Sequence, residues 1–184
     1  MFTKILIANR GVAAVRIART LKRMGIASIA LRTTAEKDSQ YFGSFDEVYD
    51  LVGDSVAETY LDVEQILAIA ARAKAEAIHP GYGFLSENAE FASEVAAAGL
   101  SFLGPTPDVI NVFGLKHEAR AMAQAQGVPI LEGTSILPDL AAALSAADEV
   151  GFPLLLKSTA GGGGIGMQRC DSARDLEAAF ESVT

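Results

Sequence analysis

The sequence has a single cysteine, Cys170, so no disulfide can form within the chain. It has no apolar run near the roughly 20 residues that a membrane helix needs. Its opening residues, MFTKILIAN, carry a strand pattern rather than a secretory leader. Positive charge is scarce: 15 Lys and Arg against 23 Asp and Glu leave a net charge of −8. That balance argues against a nucleic-acid partner or an anionic membrane surface, both of which favour a basic face. The two histidines, His79 and His117, lack the spacing of a metal site, and Cys170 has no neighbouring base to mark it as a nucleophile. The residues therefore assign neither a catalytic nor a metal-ligating side chain. There is no internal repeat, and the only compositional bias is an alanine-rich segment near residue 141. The expectation is a soluble, cytoplasmic protein whose 184 residues, half of them hydrophobic, make one domain or one domain and part of another.

What is present alternates between strand and helix. Lys4 to Ala8 reads as a short buried strand, and Gly11 to Met24 as a helix with Val15, Ala18 and Leu21 inward and Arg16, Arg19, Lys22 and Arg23 around them. Further strands are predicted at Ala27 to Leu31, Glu47 to Val52, Ala75 to Ile78 and Leu100 to Leu103. Helices are predicted at Val63 to Arg72 and from the cap Ser86 to Ala98. This is an open α/β sheet, mostly parallel by the right-handed crossover rule and so Rossmann-like. A second unit begins near Gly104-Pro105-Thr106-Pro107. It holds a helix opened by Thr106 and Pro107, a helix at Lys116 to Gln126, a strand at Val128 to Leu131 and a helix at Asp139 to Val150. Strands at Phe152 to Lys157 and Ile165 to Cys170 follow, then a last helix, Leu176 to Val183, opened by Ser172 and Asp175 as a capping box. The domain boundary is placed at 113/114.

Three loops carry the candidate chemistry. Asn9-Arg10-Gly11 follows the first strand, and His79-Pro80-Gly81-Tyr82-Gly83-Phe84 follows the fourth; ligands of open α/β sheets bind at such carboxyl ends. The third is Lys157-Ser158-Thr159-Ala160 followed by four glycines, Gly161, Gly162, Gly163 and Gly164. Adjacent glycines lack a Cβ and accept positive φ, so their N–H groups can turn toward one anion while a nearby lysine supplies full charge. A Walker loop fits poorly, because the lysine precedes the glycines and no Gly-Lys-Ser or Gly-Lys-Thr follows them. The residues after the run look extended, and the first strand is not followed by G-x-G-x-x-G. Strand, glycine loop and returning strand make a hairpin that covers phosphate, the arrangement of an ATP-grasp lid. The alternatives at this level are a flexible linker, a different ATP-grasp ligase and a non-enzymatic dinucleotide-binding module.

Four strings then carry a family resemblance: IANRG at 7 to 11, HPGYGFLSENAEFA at 79 to 92, FLGPTP at 102 to 107 and KSTAGGGGIGM at 157 to 167. Together they resemble the N-terminal part of the biotin carboxylase domain of biotin-dependent carboxylases. Within that family the last string, with VFGLKHEAR at 112 to 120 and ILEGT at 130 to 134, is most similar to urea carboxylase, the carboxylase half of urea amidolyase. Acyl-CoA and pyruvate carboxylases, the alternatives, more often have arginine where Ile165 stands. The resemblance implies a pre-ATP-grasp domain over residues 1–113 and, over 114–184, the first part of an ATP-grasp domain, an incomplete module with its α+β lid.

The implied reaction has two steps. ATP, with Mg2+, phosphorylates bicarbonate to carboxyphosphate, and the CO2 released is captured by biotin on a carrier domain. A carboxyltransferase domain, on the same polypeptide, would pass the carboxyl group to urea. By the same resemblance Lys116 and Lys157 contact the ATP phosphates, Gly161 to Gly164 close over them, Met167 lies against adenine, and Tyr82 and Gly83 lie near the biotin pocket. The first helix contributes to a homodimer in this family, but Val12 stands where glutamate is usual and Arg23 where many relatives carry an acid able to pair with Arg19. The Mg2+ carboxylates, the bicarbonate base and the arginine facing biotin lie beyond Thr184 in the family pattern. The purified 184-residue chain is therefore expected not to turn over ATP. Bicarbonate-dependent ADP release in the presence of free biotin is the measurement, and clear turnover would refute the expectation.

Overall fold

The computed structural model describes residues 1–131, 133–158 and 166–183, in two compact units, Met1–Asn111 and Val112–Thr184. The first unit runs β1 (Lys4–Ile7), α1 (Gly11–Arg23), β2 (Ala27–Arg32), β3 (Glu47–Asp50), α2 (Val63–Arg72), β4 (Ala77–His79), α3 (Ala89–Ala97) and β5 (Ser101–Phe102). These strands form one parallel sheet in the order β3-β2-β1-β4-β5, the predicted open α/β architecture.

The apolar runs explain the order. A strand buried on both faces must be apolar at every position, and KILI and ASIALR are the two runs closest to that. They occupy the middle of the sheet. Side chains alternate across it: Leu6, Ile29, Leu31 and Ile78 pack with Ile66, Ile69, Phe91 and Val95 of α2 and α3 on one face. Ile5, Ile7 and Ala77 pack with Ala14, Ala18 and Leu21 of α1 on the other. Small residues on the buried side of α1 bring it close to the sheet, while Arg16, Arg19, Lys22 and Arg23 stay at its exposed surface. Arg16 and Arg23 both donate to the Thr20 hydroxyl, at 2.6 and 3.3 Å. Neither has a carboxylate within 4 Å among the described residues.

One helix starts later than predicted. Ser86 lies in a turn, its N–H bonded to the Gly83 carbonyl at 3.0 Å. Asn88 is the cap instead: its side chain accepts the Phe91 N–H at 2.8 Å.

α4 (Pro107–Gly114) carries the chain onward to α5 (Lys116–Ala125), α6 (Leu140–Val150), β6 (Leu154–Lys157), β7 (Met167–Cys170) and α7 (Ala173–Val183). The strand predicted at Val128 to Leu131 does not form; those residues have no regular structure. Pro129 cannot donate to a ladder, Leu131 is almost fully exposed, and the Leu131 carbonyl is taken by the Arg120 guanidinium. The second unit's core is small: Ala143, Ala147, Leu156, Cys170, Leu176, Ala179 and Val183. Asp139 caps α6 through the Ala142 N–H, and Ser172 and Asp175 hydrogen-bond reciprocally at the start of α7. Among the described residues no helix is long and apolar enough to cross a membrane.

Phe91 is fully buried and meets Phe102 edge-on, with ring centroids 5.9 Å apart. Phe91→Ala is expected to destabilise the first unit by about 3–5 kcal/mol. Val52→Ala, at a site 80% exposed, should stay within about 0.5 kcal/mol of the parent. Urea unfolding of the 184-residue chain followed by circular dichroism measures both.

Candidate functional site

In the first unit the sheet reverses its direction of growth between β1 and β4. The helix after β1 covers one face and the helix after β4 covers the other, which opens a crevice at the carboxyl ends of these two strands. Asn9 sits in the floor of that crevice, 3% exposed. Its amide donates to the Pro80 carbonyl at 2.8 Å and the Tyr82 carbonyl at 2.9 Å, and its Oδ1 accepts the Arg10 N–H. The loop after β4 is thereby tied to the loop after β1. Gly81 makes this approach possible: its φ is +69°, and a Cβ there would stand 2.5 Å from the Asn9 amide nitrogen.

The next residues complete a tight, left-handed loop. His79 Nδ1 accepts the Gly81 N–H at 3.0 Å, so the imidazole is neutral with its proton on Nε2, and burial lowers its pKa. Gly83 has φ +67° and Phe84 φ +46°. Tyr82, held through its own backbone carbonyl, presents a side chain that leaves the residue 75% exposed. The two residues predicted for the biotin pocket, Tyr82 and Gly83, therefore lie on an anchored turn at the crevice.

Residues that the sequence did not single out support this turn. Glu36 accepts hydrogen bonds from Tyr60 Oη at 2.7 Å, Thr33 Oγ1 at 2.8 Å and Tyr41 Oη at 3.1 Å. Burial pushes the Glu36 carboxyl up, but these donors outweigh it and hold the pKa below its usual value. Burial, with help from Glu36, pushes the Tyr41 hydroxyl up to about 12 and that of Tyr60 higher still. Only the pattern Thr33-Thr34-Ala35-Glu36, a capping box that the structure confirms, was readable in advance.

In the second unit, β6 and β7 pair antiparallel with Lys157 opposite Met167, and the pairing extends to Ser158 N–H on the Gly166 carbonyl at 2.8 Å. Directly opposed residues share a face. Lys157 and Met167 are therefore neighbours, and both are exposed, whereas Leu156 and Cys170 contribute to the core. Lys116, the first residue of α5, donates its ammonium to the Ser158 carbonyl at 3.3 Å. Three of the residues predicted for the nucleotide are thus gathered at the end of one hairpin. The others, Gly161, Gly162, Gly163 and Gly164, lie outside the described residues.

Two further candidates take plain roles. Cys170 is fully buried, and burial raises its thiol pKa, the opposite of an activated nucleophile. His117 has its Nε2 3.5 Å from Glu118, and its Nδ1 has no hydrogen-bond partner among the described residues.

Comparison with known proteins agrees with this geometry along the chain. The family described as "Biotin carboxylase, N-terminal domain" matches residues 1–110, and "Carbamoyl-phosphate synthase L chain, ATP binding domain" matches residues 116–184. The chain is 47% identical over 183 residues to a urea amidolyase of Saccharomyces cerevisiae, covering 100% of this chain and 10% of that protein. It is 49% identical over 183 residues to Biotin carboxylase 2 of Bacillus subtilis, covering 98% of this chain and 41% of that one. Among solved structures, the biotin carboxylase domain dimer of Hydrogenobacter thermophilus 2-oxoglutarate carboxylase, in complex with MgADP, ADP and bicarbonate, superposes with a TM-score of 0.91 at 39% identity. That likeness covers 100% of this chain and 40% of the other. The chain thus spans between a tenth and about two-fifths of these relatives. With a domain match over most of its length and relatives near half identical, this chain belongs to the biotin carboxylase family.

Proposed function

We propose that this chain acts as the N-terminal part of a biotin carboxylase that carboxylates carrier-bound biotin with bicarbonate at the expense of ATP. Residues 1–113 would form its N-terminal domain and 114–184 the start of its ATP-grasp domain. The observation that carries the reading is the β6–β7 hairpin: Lys157 and Met167 share its exposed face, Lys116 reaches its end, and the glycine run lies between its strands.

ATP, when bound, supplies the phosphoryl group that activates bicarbonate. The residues here would do the binding. Lys157 and Lys116 place two ammonium groups where phosphate charge has to be balanced, and both are donors without a competing acceptor function. Gly161 to Gly164 offer backbone N–H groups over the phosphates, and the thioether of Met167 offers a polarizable surface for adenine. Tyr82 and Gly83 form a wall of the biotin site, held by Asn9 and His79. Among the described residues no three His, Cys, Asp or Glu side chains gather to hold a cation. The residues present do not fit a Mg2+ site, and no step is assigned to one here.

The final acceptor is urea, on the strength of VFGLKHEAR, ILEGT and Ile165. The 49% identity to a Bacillus biotin carboxylase supports a second reading, in which the acceptor is an acyl-CoA or pyruvate. Either reading calls for a carrier domain and a carboxyltransferase domain, on the same polypeptide in the urea case, and for a cytoplasmic enzyme. A homodimer through α1 has to form without an Arg19–acid pair, because position 23 is Arg23.

In the complete polypeptide, Lys157→Gln and Lys116→Gln should each lower kcat/KM for ATP by about 10- to 100-fold, the loss of one charge-assisted hydrogen bond. Steady-state ADP release at saturating bicarbonate and biotin measures it, and unchanged values for both variants would remove the nucleotide assignment. Stimulation of ADP release by urea, and not by acyl-CoA or pyruvate, would decide the acceptor.

A further inference from the structure

Arg10 stands where no hydrogen bond or close ion pair explains it. Its guanidinium carbon lies 5.6 Å from the ring centroid of Tyr60 and 5.5 Å from that of Phe84. The two rings stack on each other at 5.1 Å with a 25° tilt. The nearest carboxylate oxygen, on Glu36, is 4.0 Å away, and Glu36 is already engaged by three hydroxyl donors. The main partners of the cation are therefore two aromatic rings, at the distance where a ring quadrupole attracts it.

Phe84 explains why such a clamp matters. It holds φ +46°, the left-handed region that a bulky L-residue avoids, two positions after Tyr82. Strain of this kind persists only where the surroundings over-determine the conformation. Asn9 fixes the carbonyls of Pro80 and Tyr82, but the Phe84 side chain is held by Tyr60 beneath it and Arg10 beside it. Tyr60 is itself fixed, buried and bonded to Glu36 and the Leu31 carbonyl. If the Phe84 ring left the stack, its φ would relax and the turn that presents Tyr82 would turn with it.

We propose that Arg10 is a positioning residue for biotin: by clamping Phe84 onto Tyr60 it holds the turn that sets the direction of the exposed Tyr82 side chain. The proposal rests on the assignment of Tyr82 and Gly83 to the biotin site. Arg10 itself need not touch biotin, and its effect is confined to how well biotin is seated.

The test uses the complete polypeptide with free biotin as the probe. Arg10→Met keeps the length of the side chain and removes the charge. It should raise KM for biotin about 5- to 20-fold, the worth of a cation over two rings, and leave kcat at saturating biotin and KM for ATP within about twofold. Arg10→Lys restores the cation and should recover most of the loss. Phe84→Gly relieves the left-handed strain yet deletes the ring, and it should raise KM for biotin at least as much as Arg10→Met. An unchanged biotin KM in Arg10→Met, or a fall in kcat and thermal midpoint with no change in that KM, overturns the positioning role. Tyr82→Ala separates the two levels. If it leaves biotin KM unaltered, the pocket assignment fails and the proposal with it; if it raises biotin KM while Arg10→Met does not, only the positioning role fails.

Discussion

The first unit depends on one buried amide. Asn9 lies at the carboxyl end of the central strand β1, and its side chain satisfies two carbonyls of the loop after the neighbouring strand β4 while accepting an N–H from its own. A buried carbonyl left without a donor costs about 1–3 kcal/mol, and here two would be orphaned together. The bond pair also sets geometry. It draws Pro80 and Tyr82 onto the floor of the crevice so closely that only glycine fits between them. An apolar residue at position 9 would serve the core equally well but would leave the turn without an anchor.

From that anchor the loop can hold a shape that a free peptide would avoid. Three of its residues, Gly81, Gly83 and Phe84, have positive φ. Each is held by a different group: Asn9 against Gly81, a backbone bond from Ser86 to the Gly83 carbonyl, and the Tyr60–Arg10 pair about Phe84. His79 contributes only in its neutral form, because its Nδ1 lone pair is what receives the Gly81 N–H. Desolvation favours that neutral form. Buried polar groups here therefore trade stability for a defined loop, and the exposed Tyr82 is the product of that arrangement.

How much of this could be read in advance depended on the range of the interaction. KILI and ASIALR announce central parallel strands because their burial pattern is a local property of composition, and the β6–β7 hairpin follows from two extended runs about a glycine tract. The cap of α3 was misplaced by two residues because Ser86 and Asn88 are both good caps, and a turn to Gly83 decided between them. Val128 to Leu131 looked like a strand by side-chain type, but a strand needs a partner and donors, and Pro129 with the Arg120–Leu131 contact supplies neither. Contacts between distant residues had no local sign. Asn9 meets a loop 71 to 73 residues away, Tyr60 meets a carboxylate 24 residues away, and Lys116 meets Ser158 across 42 residues. The strings HPGYGF and KSTAGGGGIGM pointed to the right segments through family resemblance, whereas Glu36, Tyr41, Tyr60 and the role of Arg10 emerged only from coordinates.

The two candidate segments are built by opposite means, and their sequences reflect it. The turn after β4 is over-determined by buried amide, imidazole and aromatic contacts, as suits a wall whose task is to hold one side chain in one direction. The hairpin that carries Lys157 and Met167 rests on a small core of alanines, Leu156, Leu176, Val183 and one cysteine. Exposed positions dominate both of its strands. Few buried apolar contacts mean a low cost of local rearrangement. A segment required to admit a nucleotide and later release it needs that low cost, since tighter packing beneath the hairpin would add to the barrier of every opening. Lys116 reconciles the two demands. By bonding the Ser158 carbonyl from α5 it holds the hairpin end through one polar contact, and a hydrogen bond can be exchanged for a bond to phosphate at far smaller cost than a packed side chain can be withdrawn from a core.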